Sequence, residues 1–175
     1  MSNFSPTYAP TQRATNPVEL LAFAPGTVSR QKLMAKSIDT ETVAFEHCVR
    51  NSTDSYRIAQ SFWDMDEMPI IEHAYALYLD RANRPLCWAS ISVGGMSGTF
   101  FDPKVVFVHA LLSGAQSVIL FHNHPSGNLR PSDADRTLTS KLVAAGKMLD
   151  IAVLDHLILA PDNRFYSFAD EGMMP

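Results

Sequence analysis

The segment HNHPSG, His122–Gly127, directly follows the apolar run Ser117–Phe121. A short apolar run bounded by turn residues predicts a buried β-strand, and successive side chains of a strand point to opposite faces. We therefore expect His122 and His124 to present both imidazole rings on one side, with the intervening asparagine on the other. The proline and glycine that follow are turn residues, so they should end the strand and bend the chain back.

A carboxylate follows at the predicted start of a helix. Ser132 is expected to cap a helix that continues to about Leu149, because serine is favoured at N-caps and apolar residues recur beyond it at helical spacing. Asp135 lies in the first turn of this helix and should reach the same point as the two histidines, because the chain has turned back. Two neutral imidazoles and one carboxylate suit zinc, and three protein ligands leave the fourth position for water. The sequence thus predicts one Zn²⁺ per chain, held by His122, His124 and Asp135 in a site of the catalytic kind.

The other histidines receive a different interpretation. A lone histidine near a strand end is more often a core or hydrogen-bonding residue than a metal ligand. This interpretation applies to His47, His73, His109 and His156. The histidine pair of HNHPSG differs from them because its spacing satisfies strand geometry and helix-capping geometry together.

Predicted strands and helices alternate along the rest of the chain. Helices are predicted for residues 51–63, 102–114 and 132–149, and strands for residues 42–49, 72–80, 86–93, 118–121, 151–160 and 164–168. Apolar residues occupy both faces of the strand at 72–80, which is typical of a strand covered on both sides. This strand and the next are expected to form a hairpin, and Gly94, Gly95 and Gly98 to form a loop after it. The pattern predicts an α/β or α+β domain with a central sheet.

Composition narrows the classes of protein to consider. Residues 1–30 carry four prolines among polar residues and are expected to be flexible, which leaves 31–175 as a single domain. The formal net charge of −4 argues against a strongly basic nucleic-acid surface. Cys48 and Cys87 fit no zinc-ligand spacing and are expected to be reduced thiols. Because the sequence shows neither a signal-peptide pattern nor an apolar run of membrane-spanning length, we expect a soluble, cytoplasmic protein without a membrane partner.

The segment HNHPSGNLRPSDAD resembles the signature of the JAMM (JAB1/MPN+) metalloproteases, in which HxHP is followed by SxxD. More narrowly, it is similar to the RadC-type branch, where HNHPSG is followed by PSxxD and a helix with a threonine, here Thr137. The resemblance covers roughly residues 50–172, and it implies an MPN/JAB domain with a central mixed sheet flanked by helices, an architecture like that of cytidine deaminases. The chain has no pattern for the helix-hairpin-helix region that RadC proteins usually carry, so a short form is expected.

The resemblance also implies roles for individual residues. The catalytic glutamate of the family opens the first core strand, which is the position of Glu72, with Asp66 and Glu67 as nearby competitors. The matching serine of the family, here Ser132, helps to bind the carbonyl oxygen as it becomes an oxyanion. As an N-cap the Ser132 hydroxyl accepts from backbone N–H groups, and the sequence leaves both roles open, although one hydroxyl proton cannot serve two acceptors. Asp155 could orient a ligand histidine or cap a buried backbone amide, and the sequence leaves both open.

The activity implied by the resemblance is zinc-dependent hydrolysis of a peptide or isopeptide amide bond, with a peptide or protein as substrate. A DNA-binding protein associated with DNA repair or mobile elements, without a hydrolytic role, is the alternative; a scaffold without metal is a third. The acidic net charge counts against the second class, and the complete ligand set counts against the third. Weak nucleic-acid binding stays open because basic residues could form a rim near the site: Lys104, Arg130, Arg136, Lys141 and Lys147. The sequence leaves the oligomeric state open.

Overall fold

A computed structural model of the chain describes residues 48–94 and 101–175. The described residues form three helices and five strands, which follow in the order α1 (Ser52–Phe62), β1 (His73–Leu79), β2 (Pro85–Val93), α2 (Pro103–Ser113), β3 (Ser117–Asn123), α3 (Asp133–Met148), β4 (Ala152–Leu159) and β5 (Phe165–Ser167). The strands form one sheet in the order β2-β1-β3-β4-β5. β3 and β4 are parallel and the other neighbours are antiparallel. This mixed sheet with flanking helices confirms the predicted α+β fold class.

Helices cover both faces of the sheet, and an apolar cluster fills each interface. α1 packs on one face, against a cluster that includes Tyr75 and Leu77 of β1. α2 and α3 pack on the other face, where Ala74 and Ala76 of the same strand lie. All seven positions of β1 are buried, which confirms the prediction of a strand covered on both sides.

Local capping explains where the helices begin and end. The side chains of Asn51, Asp102 and Ser132 accept hydrogen bonds from backbone N–H groups in the first turns of α1, α2 and α3. Gly114 ends α2 with a φ of 69°, a left-handed conformation that glycine adopts without strain. The three predicted helices are confirmed to within one residue at each end.

The unit β3-α3-β4 is a parallel crossover, and it places the end of β3 beside the start of α3. β3 begins one residue earlier and ends two residues later than predicted, because its pairing starts at Ser117 and continues through His122 and Asn123. At the far end of α3, Gly146 allows the helix to approach the strand closely, since a Cβ there would collide with the carbonyl oxygen of Ile151. A tight crossover of this kind fixes α3 relative to β3 and β4.

Several predictions concern, wholly or in part, residues outside the two described ranges. The described residues do not include the segment 1–30 that was expected to be flexible, the domain boundary predicted after it, most of the strand predicted at 42–49, His47, Gly95 or Gly98. Residues 48–50 are described and are not in a strand. Cys48 and Cys87 are both unpaired, as expected for reduced thiols. None of the three helices in the described ranges has the length and apolar character of a membrane span.

Candidate metal centre

The candidate site lies where β3 ends and α3 begins. Alternation along β3 places His122 on the same face as Val118 and Leu120, and His124 follows directly after the strand. The Nε2 atoms of His122 and His124 lie 3.0 Å apart. His122 is buried and His124 is half-buried. The structure therefore brings the two rings to one point, as their spacing of two residues predicts.

Asp135 reaches the same point from the first turn of α3. Its Oδ1 lies 3.4 Å from Nε2 of His122, and its Oδ2 lies 3.8 Å from Nε2 of His124. Ser132 fixes this carboxylate, because the backbone N–H and the hydroxyl of Ser132 both donate to Oδ2, at 2.7 and 2.6 Å. In return, the Asp135 N–H donates to Oγ of Ser132 at 3.1 Å, which completes a capping box.

The donor atoms at this point fit a zinc ion. Nδ1 of His124 lies 2.5 Å from the carbonyl oxygen of Asn128. A carbonyl only accepts, so Nδ1 carries the ring proton and Nε2 turns a lone pair toward His122 and Asp135. The spacings of 3.0 and 3.4 Å are close to the roughly 3.3 Å that separates two ligand atoms of a tetrahedral zinc site.

Glu72 approaches the histidines from the start of β1. Its carboxylate and the ligand nitrogens of His122 and His124 all lie within 4.8 Å of one another, so these three residues could also hold a metal ion. The carbonyl oxygen of Glu72 accepts a hydrogen bond from the N–H of Gly94 at 2.8 Å, which ties this residue to the end of β2. Glu72 is half-buried. His122 and His124 thus face two carboxylates, Asp135 of the crossover and Glu72, which directly precedes β1.

Glu67 and Asp66, the other two acidic residues considered for the base, lie away from the candidate site. Oε2 of Glu67 lies 3.2 Å from Nε2 of His73. The His73 ring stacks on Tyr75, on the face of the sheet that α1 covers, and so away from His122. Asp66 is exposed. Of the three acidic residues considered for the base, the structure groups Glu72 with the histidines.

The side chain of Asn123 points to the opposite face from the two histidines and is fully buried. Its Nδ2 donates to the carbonyl oxygens of Met68 and Ile71, at 2.7 and 2.9 Å, and its Oδ1 accepts from the N–H of His73 at 2.7 Å. These bonds hold the backbone on both sides of Glu72. The amide of Asn123 therefore braces the segment that precedes β1.

Two residues, His156 and Thr139, contact the candidate site or its ligands, although the sequence assigned them no role there. Nδ1 of His122 lies 2.8 Å from Nε2 of His156, and Nδ1 of His156 lies 2.8 Å from Oγ1 of Thr139. Thr137, the threonine that the family resemblance indicates, bonds the carbonyl of Asp133 on an exposed part of α3. Thr139 could have been suspected from its position four residues after Asp135, since such residues share a helix face.

Asp155 caps backbone amides and does not appear beside the candidate ligands. Its carboxylate accepts from the N–H of His156 at 2.7 Å, the N–H of Ala169 at 3.0 Å and the hydroxyl of Ser167 at 2.6 Å. Of the two roles that the sequence left open, these contacts correspond to amide capping. Burial raises the pKa of Asp155.

Burial also determines the protonation state of the two buried histidines at the site, His122 and His156. It lowers the pKa of His122 to about 4, with His124 acting in the same direction and Asp135 opposing both. Burial also lowers the pKa of His156 well below its ordinary value. Both rings are therefore neutral near pH 7, which is the form that binds metal.

Comparison with known proteins gives a family match. A family model described as "RadC-like JAB domain" matches residues 49–173. A UPF0758 protein of Flavobacterium johnsoniae is 42% identical over 125 residues, which cover 71% of this chain and 53% of that relative. A UPF0758 protein of Porphyromonas gingivalis is 31% identical over 148 residues, which cover 85% of this chain and 64% of that relative.

A third relative, a UPF0758 protein of Methanococcoides burtonii, is 46% identical over 101 residues, covering 58% of this chain and 44% of the relative. The name that these relatives share states no activity. The chain spans about half the length of the curated relatives it matches. The matched region, 49–173, contains every residue of the candidate metal centre.

Proposed function

The chain belongs to the RadC-like JAB domain family, and we propose that it is a zinc-dependent hydrolase that cleaves a peptide or isopeptide amide bond. The observation that carries this proposal is the convergence of two imidazoles and a fixed carboxylate, with a second carboxylate nearby. This arrangement provides a ligand set and, separately, a base. A hydrolytic metal site needs both of these parts.

We assign Nε2 of His122, Nε2 of His124 and the carboxylate of Asp135 as the ligands of one Zn²⁺ per chain. The Ser132 capping box holds Asp135 at 3.4 Å from His122, which favours it over Glu72 as the third ligand. Zinc bound there would act as a Lewis acid and would lower the pKa of water toward ~7.

Glu72 is the proposed general base. Its carboxylate is close enough to the histidines to accept a proton from a water in the site and to deliver it to the leaving amine. A positioned carboxylate of this kind contributes about 10²- to 10⁴-fold to a rate. Asn123 keeps Glu72 in place through the backbone on either side of it.

Ser132 is the proposed donor to the carbonyl oxygen of the substrate. In the structure its hydroxyl donates to Asp135 and accepts from the Asp135 N–H, so it acts as a helix cap. Binding an oxyanion would require the hydroxyl to turn away from Asp135, while the Ser132 N–H would keep its bond to Oδ2. The backbone bond therefore allows Ser132 to donate without releasing the carboxylate.

The proposed setting is the cytoplasm, and the proposed partner is a peptide or protein substrate. The two unpaired cysteines, Cys48 and Cys87, suit a reducing compartment.

Metal analysis of the purified full chain tests this proposal. We expect one zinc per wild-type chain after dialysis, and a large loss of zinc in His122→Ala and in Asp135→Ala, because each substitution removes a ligand. His109→Ala is the matched control, since His109 lies on α2 outside the candidate ligand set. Equal zinc in the wild type and both ligand variants would contradict the ligand assignment.

The second arm of the test measures hydrolysis. Wild-type protein with zinc is incubated with peptide and isopeptide amides, and a chelator is added to a parallel sample. We expect cleavage that the chelator abolishes and that added zinc restores. If the protein binds zinc but cleaves none of these peptide and isopeptide amides, a binding role for the domain would be favoured.

A further inference from the structure

Hydrogen bonds around His122 join the candidate ligands of β3 and α3 in one connected series. His122 contacts His156 of β4, His156 contacts Thr139 of α3, and Thr139 contacts the backbone carbonyl of Asp135. The three heavy-atom distances are 2.8, 2.8 and 2.6 Å. Since Asp135 also lies 3.4 Å from His122, the series closes on itself.

The direction of these hydrogen bonds follows from the carbonyl at one end. A carbonyl oxygen can only accept, and the Thr139 hydroxyl has a single proton, so Thr139 donates to Asp135. The oxygen of Thr139 is then an acceptor for the ring nitrogen that faces it, Nδ1 of His156. His156 must therefore carry a proton on Nδ1.

The same reasoning extends to His122. His156 is fully buried, where an unpaired charge is costly, so its ring is neutral and holds only the proton on Nδ1. Its Nε2 is a lone pair, and the atom that faces it, Nδ1 of His122, must donate. His122 is buried as well, and its single proton on Nδ1 leaves Nε2 as a lone pair directed at His124 and Asp135.

We propose that Thr139 and His156 are positioning residues that keep the proton of His122 on Nδ1, so that its Nε2 is available to the metal. The inference rests on the proposed function, because it assigns a role toward the zinc ion of that site. A neutral imidazole otherwise distributes between two tautomers, and only one of them presents Nε2 as a ligand. His124 obtains the same tautomer from a backbone carbonyl alone.

Zinc affinity of the full chain, measured by competition with a chromophoric chelator, tests the role of Thr139. Thr139→Val keeps the shape of the side chain and removes its hydroxyl, and we expect it to weaken zinc binding by roughly 10- to 100-fold. Thr139→Ser restores the hydroxyl and should bind zinc as the wild type does. Thr137→Val is the matched control on the same helix, because the Thr137 hydroxyl bonds only within the exposed side of α3.

A second measurement reads the proton directly and needs no metal. Nitrogen NMR of the histidine side chains in metal-free protein distinguishes the two tautomers of His122. We expect the wild type to carry the proton on Nδ1, and Thr139→Val to shift His122 toward a mixture. A residue with only a structural role would change the melting temperature without changing this signal.

Two results would overturn the inference. One is the finding that wild-type His122 carries its proton on Nε2. Because this measurement needs only the wild-type protein, it holds even if a variant fails to fold. The other is wild-type zinc affinity in Thr139→Val when His122→Ala has lost zinc. Absence of zinc binding by the wild type is a different outcome: it contradicts the proposed function, and the NMR measurement then decides the tautomer by itself.

Discussion

The candidate site has two halves that are built differently. The ligand half consists of the proposed ligands His122, His124 and Asp135, which come from one crossover and are joined by contacts between side chains. The base half is the proposed base, Glu72, which lies about fifty residues before His122 in the chain and is positioned through its backbone neighbours. Asn123 is the residue that links them, because it belongs to β3 and holds the segment before β1.

Under the proposed function, this difference implies that binding a metal and using it would depend on separate supports. The ligand half is held by the capping box of α3 and by the contacts of His122 with His156. The base half is held through its backbone, by the buried amide of Asn123 on either side of Glu72 and by the bond from the Gly94 N–H to the Glu72 carbonyl. If the two supports are independent, substitutions should affect zinc content and activity separately, and the changes below test whether they do.

Glu72→Gln should have the largest effect. The substitution keeps the shape of the side chain and removes its ability to accept a proton, so amide hydrolysis should fall by about 10²- to 10⁴-fold. Zinc content should stay at the wild-type level, because Glu72 is not one of the assigned ligands. Turnover assays and metal analysis on the same preparation check both expectations.

Glu67→Gln is the control for this change, since Glu67 contacts His73 on the other face of the sheet. Full turnover in Glu72→Gln with loss in Glu67→Gln would show that the base is misplaced. Loss of zinc in Glu72→Gln would indicate that Glu72 is a zinc ligand. The ligand half and the base half would then not be separate.

Asn123→Ala should loosen the base half alone. It leaves two carbonyls and one N–H without their buried partner, so the free energy of unfolding should fall by roughly 3 kcal/mol. Hydrogen exchange in residues 68–73 should become faster, while the zinc affinity of the folded protein stays near wild type. A folded Asn123→Ala that has lost zinc would mean that the two supports are coupled.

The metal-free protein should become less stable in acid because of the ligand half. Burial lowers the pKa of His122 from its ordinary value near 6.5 to about 4 in the folded protein, so between these pH values the unfolded state binds more protons. Stability should therefore rise with pH across roughly pH 4 to 6.5, by about 3 kcal/mol from this residue. Denaturant titrations at several pH values measure the slope.

His122→Gln removes this titrating group and should reduce the slope. The amide of Asn123 does not titrate, so Asn123→Ala should lower stability equally at each pH and leave the slope unchanged. An equal slope in wild type and His122→Gln would assign the acid sensitivity to other groups.

Ser132→Ala should have the smallest effect on the fold. Losing an N-cap hydroxyl costs about 1 kcal/mol of stability, measured by denaturant titration. Zinc loss should be smaller than in Asp135→Ala, because the backbone N–H of residue 132 still donates to Oδ2. Zinc loss as complete as in Asp135→Ala would show that the hydroxyl, not the backbone, orients the carboxylate.

The convergence of His122, His124 and Asp135 could be predicted from the sequence because it depends on local geometry. The two-residue spacing of a strand brings His122 and His124 together, and a turn followed by a helix cap brings Asp135 to them. The bounds of α1, α2 and α3 could be predicted for the same reason, since each begins at a capping residue. These are relations between residues that lie close together in the chain.

The remaining parts depend on contacts that local patterns do not contain. His156 meets His122 through the parallel pairing of β3 with β4, whose register shifts by a bulge between Val118 and Ile119. A strand pattern does not specify such a register. The partners of Asn123 are backbone groups of an irregular segment, and Glu72 was placed by family resemblance and not by periodicity.

The alternation of side chains along β3 has a consequence for insertions and deletions. β3 is paired on both sides, with β1 and with β4, so a residue gained or lost within it would shift the rest of the strand by one position. Every side chain beyond that point would move to the other face. The histidines would then turn toward α1, and the amide of Asn123 would turn toward Asp135. We therefore expect homologous chains to vary in length in the loops around β3, and to keep the number of residues within the strand constant.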